Sequence, residues 1–206
     1  MKRFFAVFVT LILLFSMTLG ITSAAETGEM LIASEKVTGT VGAVVEVEFY
    51  LYPNLPDERK LDSLSGMLKF DPEFLTFGTI NLTDEEKNLS SLMNGKASNF
   101  QFHEKEPGEI RFAFSDAYGV DAEGFWFQAE FRIEKEGATE FIFNGISYAG
   151  LKTIKNEDGS TTYNTISYTI EPVSRGGIYT EGEAMPTDSA PSDLTEMPTV
   201  DSDFPK

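Results

Sequence analysis

Along residues 29–173, apolar and polar side chains exchange with a period of two, the pattern of strands that bury one face. In residues 44–51, Val45, Val47, Phe49 and Leu51 alternate with Glu46, Glu48 and Tyr50. Residues 63–70 set Leu64, Leu68 and Phe70 on one side, and Ser63, Ser65, Met67 and Lys69 on the other. Phe100 and Phe102 alternate with Asn99, Gln101 and His103. Ile110, Phe112 and Phe114 do so with Arg111, Ala113 and Ser115. The longest run places Phe125, Phe127, Ala129, Phe131 and Ile133 opposite Trp126, Gln128, Glu130, Arg132 and Glu134, which turns Trp126 outward. Phe141, Phe143 and Ile146 mark another strand, as do Tyr163, Ile166, Tyr168 and Ile170. Residues 31–37 and 75–80 bring the expected set to about nine.

The punctuation between these runs is turn chemistry. Glu106-Pro107-Gly108 and Glu157-Asp158-Gly159 read as hairpin turns. Pro72 fixes φ and lacks a donor, so a strand breaks at Phe70-Asp71-Pro72, and Asp71 can hydrogen-bond the backbone just beyond it. One stretch, residues 83–93, reads as a helix, because Thr83 followed by Asp84, Glu85 and Glu86 resembles an N-cap and acidic first turn. One-face-apolar strands in this number bury their faces against each other, which predicts an all-β sandwich filled by the chain's 18 phenylalanines.

Both ends depart from the alternation. Residues 1–25 open with Lys2 and Arg3, continue as an apolar run and end in Ser23, Ala24 and Ala25, the layout of a secretory signal peptide. The expected mature product is exported, with no further run able to span a bilayer. Residues 174–206 are acidic and rich in Pro, Ser and Thr, too polar to offset the cost of ordering. They read as a disordered tail, leaving residues 26–173 as the folded domain.

Composition narrows the function. The formal charge of −17 argues against nucleic acid and against an anionic membrane surface. Absence of Cys excludes disulfides, a thiolate nucleophile and Cys-rich zinc sites. A single His, His103, excludes His-pair metal motifs. No metal or cofactor is expected. The 33 acidic residues fall on exposed strand positions, loops and the tail, so catalysis is not expected either. His103 reads as a surface contact residue. Trp126 could stack on a sugar ring, but without a second outward aromatic it is better read as covering a sheet edge or the base of a loop. Asn156-Glu157-Asp158-Gly159 resembles a calcium loop but lacks the spaced acids and final Glu, and a hairpin turn explains it. Asn81-Leu82-Thr83 and Asn88-Leu89-Ser90 match the glycosylation sequon, which is common by chance.

Several of these blocks together resemble the cohesin family. GMLKFDPEFLTFGTI (residues 66–80) looks like the cohesin pattern of an alternating strand, an aromatic-Asp-Pro turn and a short strand. EIRFAFSDAYG (residues 109–119) and GFWFQAEFRI (residues 124–133) are similar to two further cohesin strands. FIFNGISYAGLKT and TISYTIEPV resemble the two closing ones. The likeness implies a nine-stranded jelly roll, shared in architecture with carbohydrate-binding modules. It implies docking of dockerins, small calcium-loop domains of secreted enzymes that assemble into polysaccharide-degrading cellulosomes. Calcium is then expected on the partner, and the resemblance implies a secreted, extracellular location, a bacterial cell surface included, as for scaffoldin modules.

Carried over strand by strand, the resemblance implies a flat recognition face. It comprises Ser63, Ser65 and Met67, then Gln101 and His103, then Arg111, Ala113 and Ser115, and finally Leu151 and Thr153. Alternation alone exposes most of these residues. The chain departs from the family where an Asn–Asp pair is replaced by Ser63 and Ser65. It departs again near Thr153, where the acidic contact is missing and Lys152 and Lys155 lie beside it. A serine hydroxyl donates and accepts but brings no charge-assisted bond. Two alternatives stay open: a carbohydrate-binding module using an aromatic platform at Trp126, and an adhesive surface domain with a homotypic partner.

Overall fold

A computed structural model of the chain describes residues 29–55, 58–95, 97–170 and 172–181. Residues 1–25, expected to be a signal segment, and all of the acidic tail beyond Glu181 lie outside the described residues. The chain runs β1 (Glu29–Gly39), β2 (Val44–Asn54), β3 (Lys60–Lys69), β4 (Leu75–Asn81), β5 (Thr83–Asp84), β6 (Leu89–Ser90) and β7 (Ser98–Glu106). It continues through β8 (Glu109–Val120), β9 (Gly124–Ile133), β10 (Ala138–Glu140), β11 (Ile142–Lys155), β12 (Thr161–Ile170) and β13 (Val173–Thr180). Each of the nine expected runs is a strand, and β5, β6, β10 and β13 are additional.

Two sheets carry the fold. One has the order β10-β13-β1-β2-β9-β4, the other β12-β11-β3-β8-β7. Between them lies one core. Val47, Phe49 and Leu51 from β2 meet Leu64 and Leu68 from β3, Ile110, Phe112 and Phe114 from β8, and Phe143, Ile146 and Tyr148 from β11. The rings pack edge to face and stacked: Phe49 lies 4.7 Å from Phe127 and 5.1 Å from Phe141, centroid to centroid. Such pairs add to the area they bury.

The turns are built as their residues dictate. Gly108 has φ 83°, and a Cβ there would stand 2.7 Å from the Phe70 carbonyl, so the β7–β8 turn requires glycine. Asp71 Oδ1 accepts the Glu73 amide at 2.8 Å, while its carbonyl accepts those of Phe74 and Leu75. Its role is the structural one expected. Asp158 closes the β11–β12 hairpin by accepting the Ser160 amide at 2.8 Å, and this bond together with the Ser160 hydroxyl holds its carboxyl below the ordinary value.

Three expectations are corrected. Residues 83–93 form no helix; Thr83–Asp84 pairs with Leu89–Ser90 as a small hairpin. The acids supposed to start a helix instead close its turn, with Asp84 Oδ1 accepting the Lys87 amide at 3.0 Å and Asn88 at φ 55°. Secondly, Trp126 is not outward: it is 0 % exposed. Phe49 pairs with Phe127 and Tyr50 with Phe125, so Trp126 is the extra residue of a β-bulge, and both it and Phe127 enter the core. Its ring packs 4.7 Å from Phe127 and 5.1 Å from Phe112.

Thirdly, the fold does not stop at residue 173. Val173–Thr180 is β13, parallel to β1 and antiparallel to β10, with Ile178 fully buried. Gly176, at φ 106°, sits so close to Ser34 that any Cβ would overlap it. The polar segment SRGGIYT showed no alternation because its strand is held between two neighbours with only Ile178 reaching the core cluster. TISYTIEPV lies in the other sheet, where its strand, β12, pairs with β11 at the edge.

Candidate functional site: an open sheet face

The outward side of the five-stranded sheet brings the expected contact residues together in three rows. Gln101 pairs with Ala113, Ala113 with Ser65 and Ser65 with Ser147. One row over, His103, Arg111, Met67 and Asn144 stand in line. On the other side of the central row come Asn99, Ser115, Ser63 and Ala149. Strands lie about 4.8 Å apart and rows roughly 6.8 Å apart, so these residues tile one continuous patch. Ser65, Gln101, His103, Arg111, Ala113 and Ser115 are exposed, while Ser63 and Met67 are half-buried.

The remaining two positions behave differently. Thr153 is exposed but stands on the β11–β12 hairpin opposite Tyr163, beyond the three rows. Leu151 is only 6 % exposed, so it offers no surface to a partner. The cause is a bulge in β3. Leu61 and Ser63 pair with successive residues Gly150 and Ala149, leaving Asp62 without a partner. Asp62 instead accepts the Thr165 hydroxyl at 3.3 Å, a bond that crosses β11 and shelters Leu151. Sequence reasoning passed over Asn99, Ser147 and Tyr163. Tyr163 is 57 % exposed, and its alternation with the buried Tyr168 set was the available signal.

The centre of the patch is small and uncharged, and one end is charged. Glu109 receives Lys69 and Lys105, each at 3.3 Å, and Arg111 Nε at 3.5 Å. Its partial burial pushes its carboxyl up, but the Lys69 and Lys105 bonds outweigh that and hold it below the ordinary carboxylate range. Three cations share the Glu109 carboxylate, with Glu106 paired across from it, so this end of the face is charged where the centre is not.

The opposite side of the sandwich is partly covered. The β5–β6 hairpin places Lys87 Nζ over the six-stranded sheet, 3.2 Å from Glu48, 3.5 Å from Glu46 and 3.9 Å from Asp84. Glu48 also accepts the Tyr50 hydroxyl at 2.6 Å, and Gln128 donates to Glu46 at 3.0 Å. Burial and the Glu48 bond push the Tyr50 phenol far up. Burial and the Glu48 charge raise Glu35, against the opposing pull of Lys87. Lys87 loses some basicity to burial but gains more from Glu48 and Glu46. Glu48 is 7 % and Gln128 2 % exposed, so the hairpin and this polar network cover the middle of the face, while Glu46, Thr76 and Arg132 stay exposed.

Other chemistry is sparse. A shallow cavity of about 460 Å³ lies at one end, lined by Asn54, Arg59, Asp121 and Glu123, with no convergent catalytic set. Among the described residues no three His, Asp or Glu side chains converge to hold a metal ion, and no helix is long and apolar enough to cross a membrane.

No family model matches the chain, and no curated protein matches it. Solved structures do. The sixth cohesin of scaffoldin B from Acetivibrio cellulolyticus, in complex with a dockerin, covers 74 % of this chain and 99 % of its own at 14 % identity, TM-score 0.53. The seventh ScaB type I cohesin from Pseudobacteroides cellulosolvens covers 79 % and 97 % at 19 % identity, TM-score 0.52. The OlpC cohesin of Clostridium thermocellum, in a type I cohesin–dockerin complex, covers 79 % and 99 % at 16 % identity, TM-score 0.54. This chain has a cohesin-like fold. The whole of each solved cohesin is accounted for by the sandwich described above.

Proposed function

We propose that the protein is an exported docking module that binds a dockerin-type partner through the outward face of the five-stranded sheet and performs no chemistry of its own. The observation that carries the proposal is the asymmetry between the two faces. One is open and uncharged at its centre, while the other is charged and partly covered by the β5–β6 hairpin, with Lys87 set on Glu46 and Glu48. A flat face with small residues at its centre and polar groups around them suits a protein surface better than a small ligand. The cohesin-like fold supports the choice of partner class, and the neighbours' complexes with dockerins make that class the first to test.

The carbohydrate-binding alternative loses its anchor, because the Trp126 ring lies in the core and offers no platform. Cellulosome-type assembly on secreted polysaccharide-degrading enzymes is the setting this reading implies. The two serines at Ser63 and Ser65 imply a partner whose contacts there are neutral hydrogen bonds.

The test is a pull-down from the source organism's secreted proteins, with calcium and again with chelator. Capture of calcium-loop modules only when calcium is present supports the reading, because such loops need the ion to fold. Binding to cellulose or xylan, with no protein captured, would sink it.

A further inference from the structure

The dipeptide Asn-Gly occurs twice in the chain, at Asn94-Gly95 and at Asn144-Gly145. In this pair an asparagine side chain meets the least obstructed main-chain nitrogen, because glycine has no Cβ to shield it. The fold puts the two copies in opposite settings.

Asn144-Gly145 lies inside β11, on the open face of the five-stranded sheet. Asn144 pairs with Met67 and is half-buried, and its Oδ1 is fully covered. The residues on either side are fixed. Phe143 donates its amide to the Ser174 hydroxyl at 3.0 Å, and the Ile146 side chain is fully buried. The Asn144 side chain cannot swing onto the next nitrogen without opening the sheet.

Asn94-Gly95 lies between β6 and β7, and both residues are exposed. Neither the Asn94 side chain nor the Gly95 amide makes a hydrogen bond among the described residues. The chain is anchored on both sides of the pair instead. Upstream, Ser91 Oγ donates to the Trp126 carbonyl and accepts the Met93 amide at 3.0 Å, with Met93 buried in the core. Downstream, the Ser98 hydroxyl donates to Asp116 at 2.7 Å, and the Ser98 amide donates to the Gly95 carbonyl at 3.1 Å. The pair is the solvated crest between two fixed points, the kind of place where covalent change to a chain concentrates.

We propose that Asn94 is a site of spontaneous deamidation, and that the fold protects Asn144 from the same reaction. The Gly95 nitrogen attacks Cγ of Asn94. A C–N bond forms, the side-chain amide leaves as ammonia and carries the Gly95 proton with it, and a succinimide remains. Water then opens the ring. Addition at Cγ gives aspartate, while addition at the main-chain carbonyl gives isoaspartate, whose main chain is longer by one carbon. Water is the sole co-reactant, and the net exchange is an NH2 for an OH. The product carries a new carboxylate close to Asp116, whose Oδ2 lies 3.7 Å from where a Cβ on Gly95 would stand. The open face keeps Asn144 neutral, and the inference holds whatever partner that face binds.

The test incubates the full chain at mildly alkaline pH, folded in buffer and unfolded in urea. Mass spectrometry follows both peptides, and an isoaspartyl methyltransferase assay reports the longer product. Conversion in urea gives the unprotected rate of each copy. In the folded chain Asn94 should convert at close to that rate, while Asn144 lags its own by at least about tenfold, as expected of a site that reacts only through opening of the sheet. Asn94→Gln should remove the methyl-accepting product from the folded chain with unchanged melting, since the side chain is exposed. Asn94 protected as strongly as Asn144, or Asn144 converting first in the folded chain, overturns the proposal.

Discussion

Trp126 shows how much one bulge residue decides. Its indole is fully buried among Phe112, Phe127 and Phe143, and its Nε1 has no hydrogen-bond partner. Trp126→Ala should therefore destabilise by about 3–5 kcal/mol. Trp126→Phe should cost no more than ~1.5 kcal/mol, because losing area is offset by removing an unpaired donor. Chemical denaturation of both variants checks this, and a large loss for Phe would mean the indole N–H is satisfied. Opposite signs are expected from two carboxylates. Glu109 is held below its ordinary pKa of 4.5, so its contribution is full above that value and is lost as pH falls through it. Glu109→Gln should melt below the wild type at pH 7, with the gap closing in acid. Glu35 is held above 4.5 by burial and by Glu48, so its charge disfavours the folded state at neutral pH. Glu35→Gln should melt above the wild type at pH 7, and that gap too should vanish in acid. At the docking face, Ser65→Arg and Ala113→Arg should abolish partner binding while shifting stability by less than about 0.5 kcal/mol, since both are exposed. Binding that survives both changes means the face is misassigned.

At the scale of elements, β13 and the β5–β6 hairpin are the two that most change the picture. A chain ending before Val173 loses the strand that joins β1 to β10, together with the buried Ile178. It should fail to fold cooperatively, whereas a chain ending after Glu181 should melt like the full one. Thermal unfolding of the two truncations decides, and equal melting would mean β13 is dispensable. Gly176→Ala should cost at least about 1–3 kcal/mol, because its φ of 106° and its closeness to Ser34 both exclude a side chain. In the hairpin, Lys87→Met should unpin the turn from Glu46 and Glu48, leaving Glu48 without its countercharge. The expected loss is about 1–3 kcal/mol, with faster amide exchange confined to residues 83–95.

For the whole molecule, the distribution of charge matters more than its total. The described carboxylates Glu35, Glu46, Glu48 and Asp84 cluster on the partly covered side, while Lys69, Lys105 and Arg111 ring one end of the open side. Raising ionic strength should weaken partner binding wherever the partner presents acids to that charged end. A salt series on partner binding checks this, and binding that does not change with salt would mean that the charged end takes no part.

The sequence by itself determined the sandwich and most of what the five-stranded sheet turns outward. A period of two sends Leu64, Phe112 and Phe114 inward, and so leaves Ser65, Arg111 and Ala113 outward whatever they pair with. Asp71, Gly108 and Asp158 likewise act within a few residues of themselves, which is why their turns were legible. Tertiary structure decided what strict alternation cannot encode. Bulges at Trp126 and Asp62 break the period, turning one ring into the core and sheltering Leu151. β13 is a strand because β1 and β10 supply its hydrogen bonds, a cause that lies 142 residues away in the chain for β1's Ala33 and its partner Arg175, far outside any local window. The acids at residues 84–86 suit a helix start, yet Lys87 finds Glu46 and Glu48 only after β2 is in place. Local chemistry chose the strands; contacts distant in sequence chose which residues each strand hides.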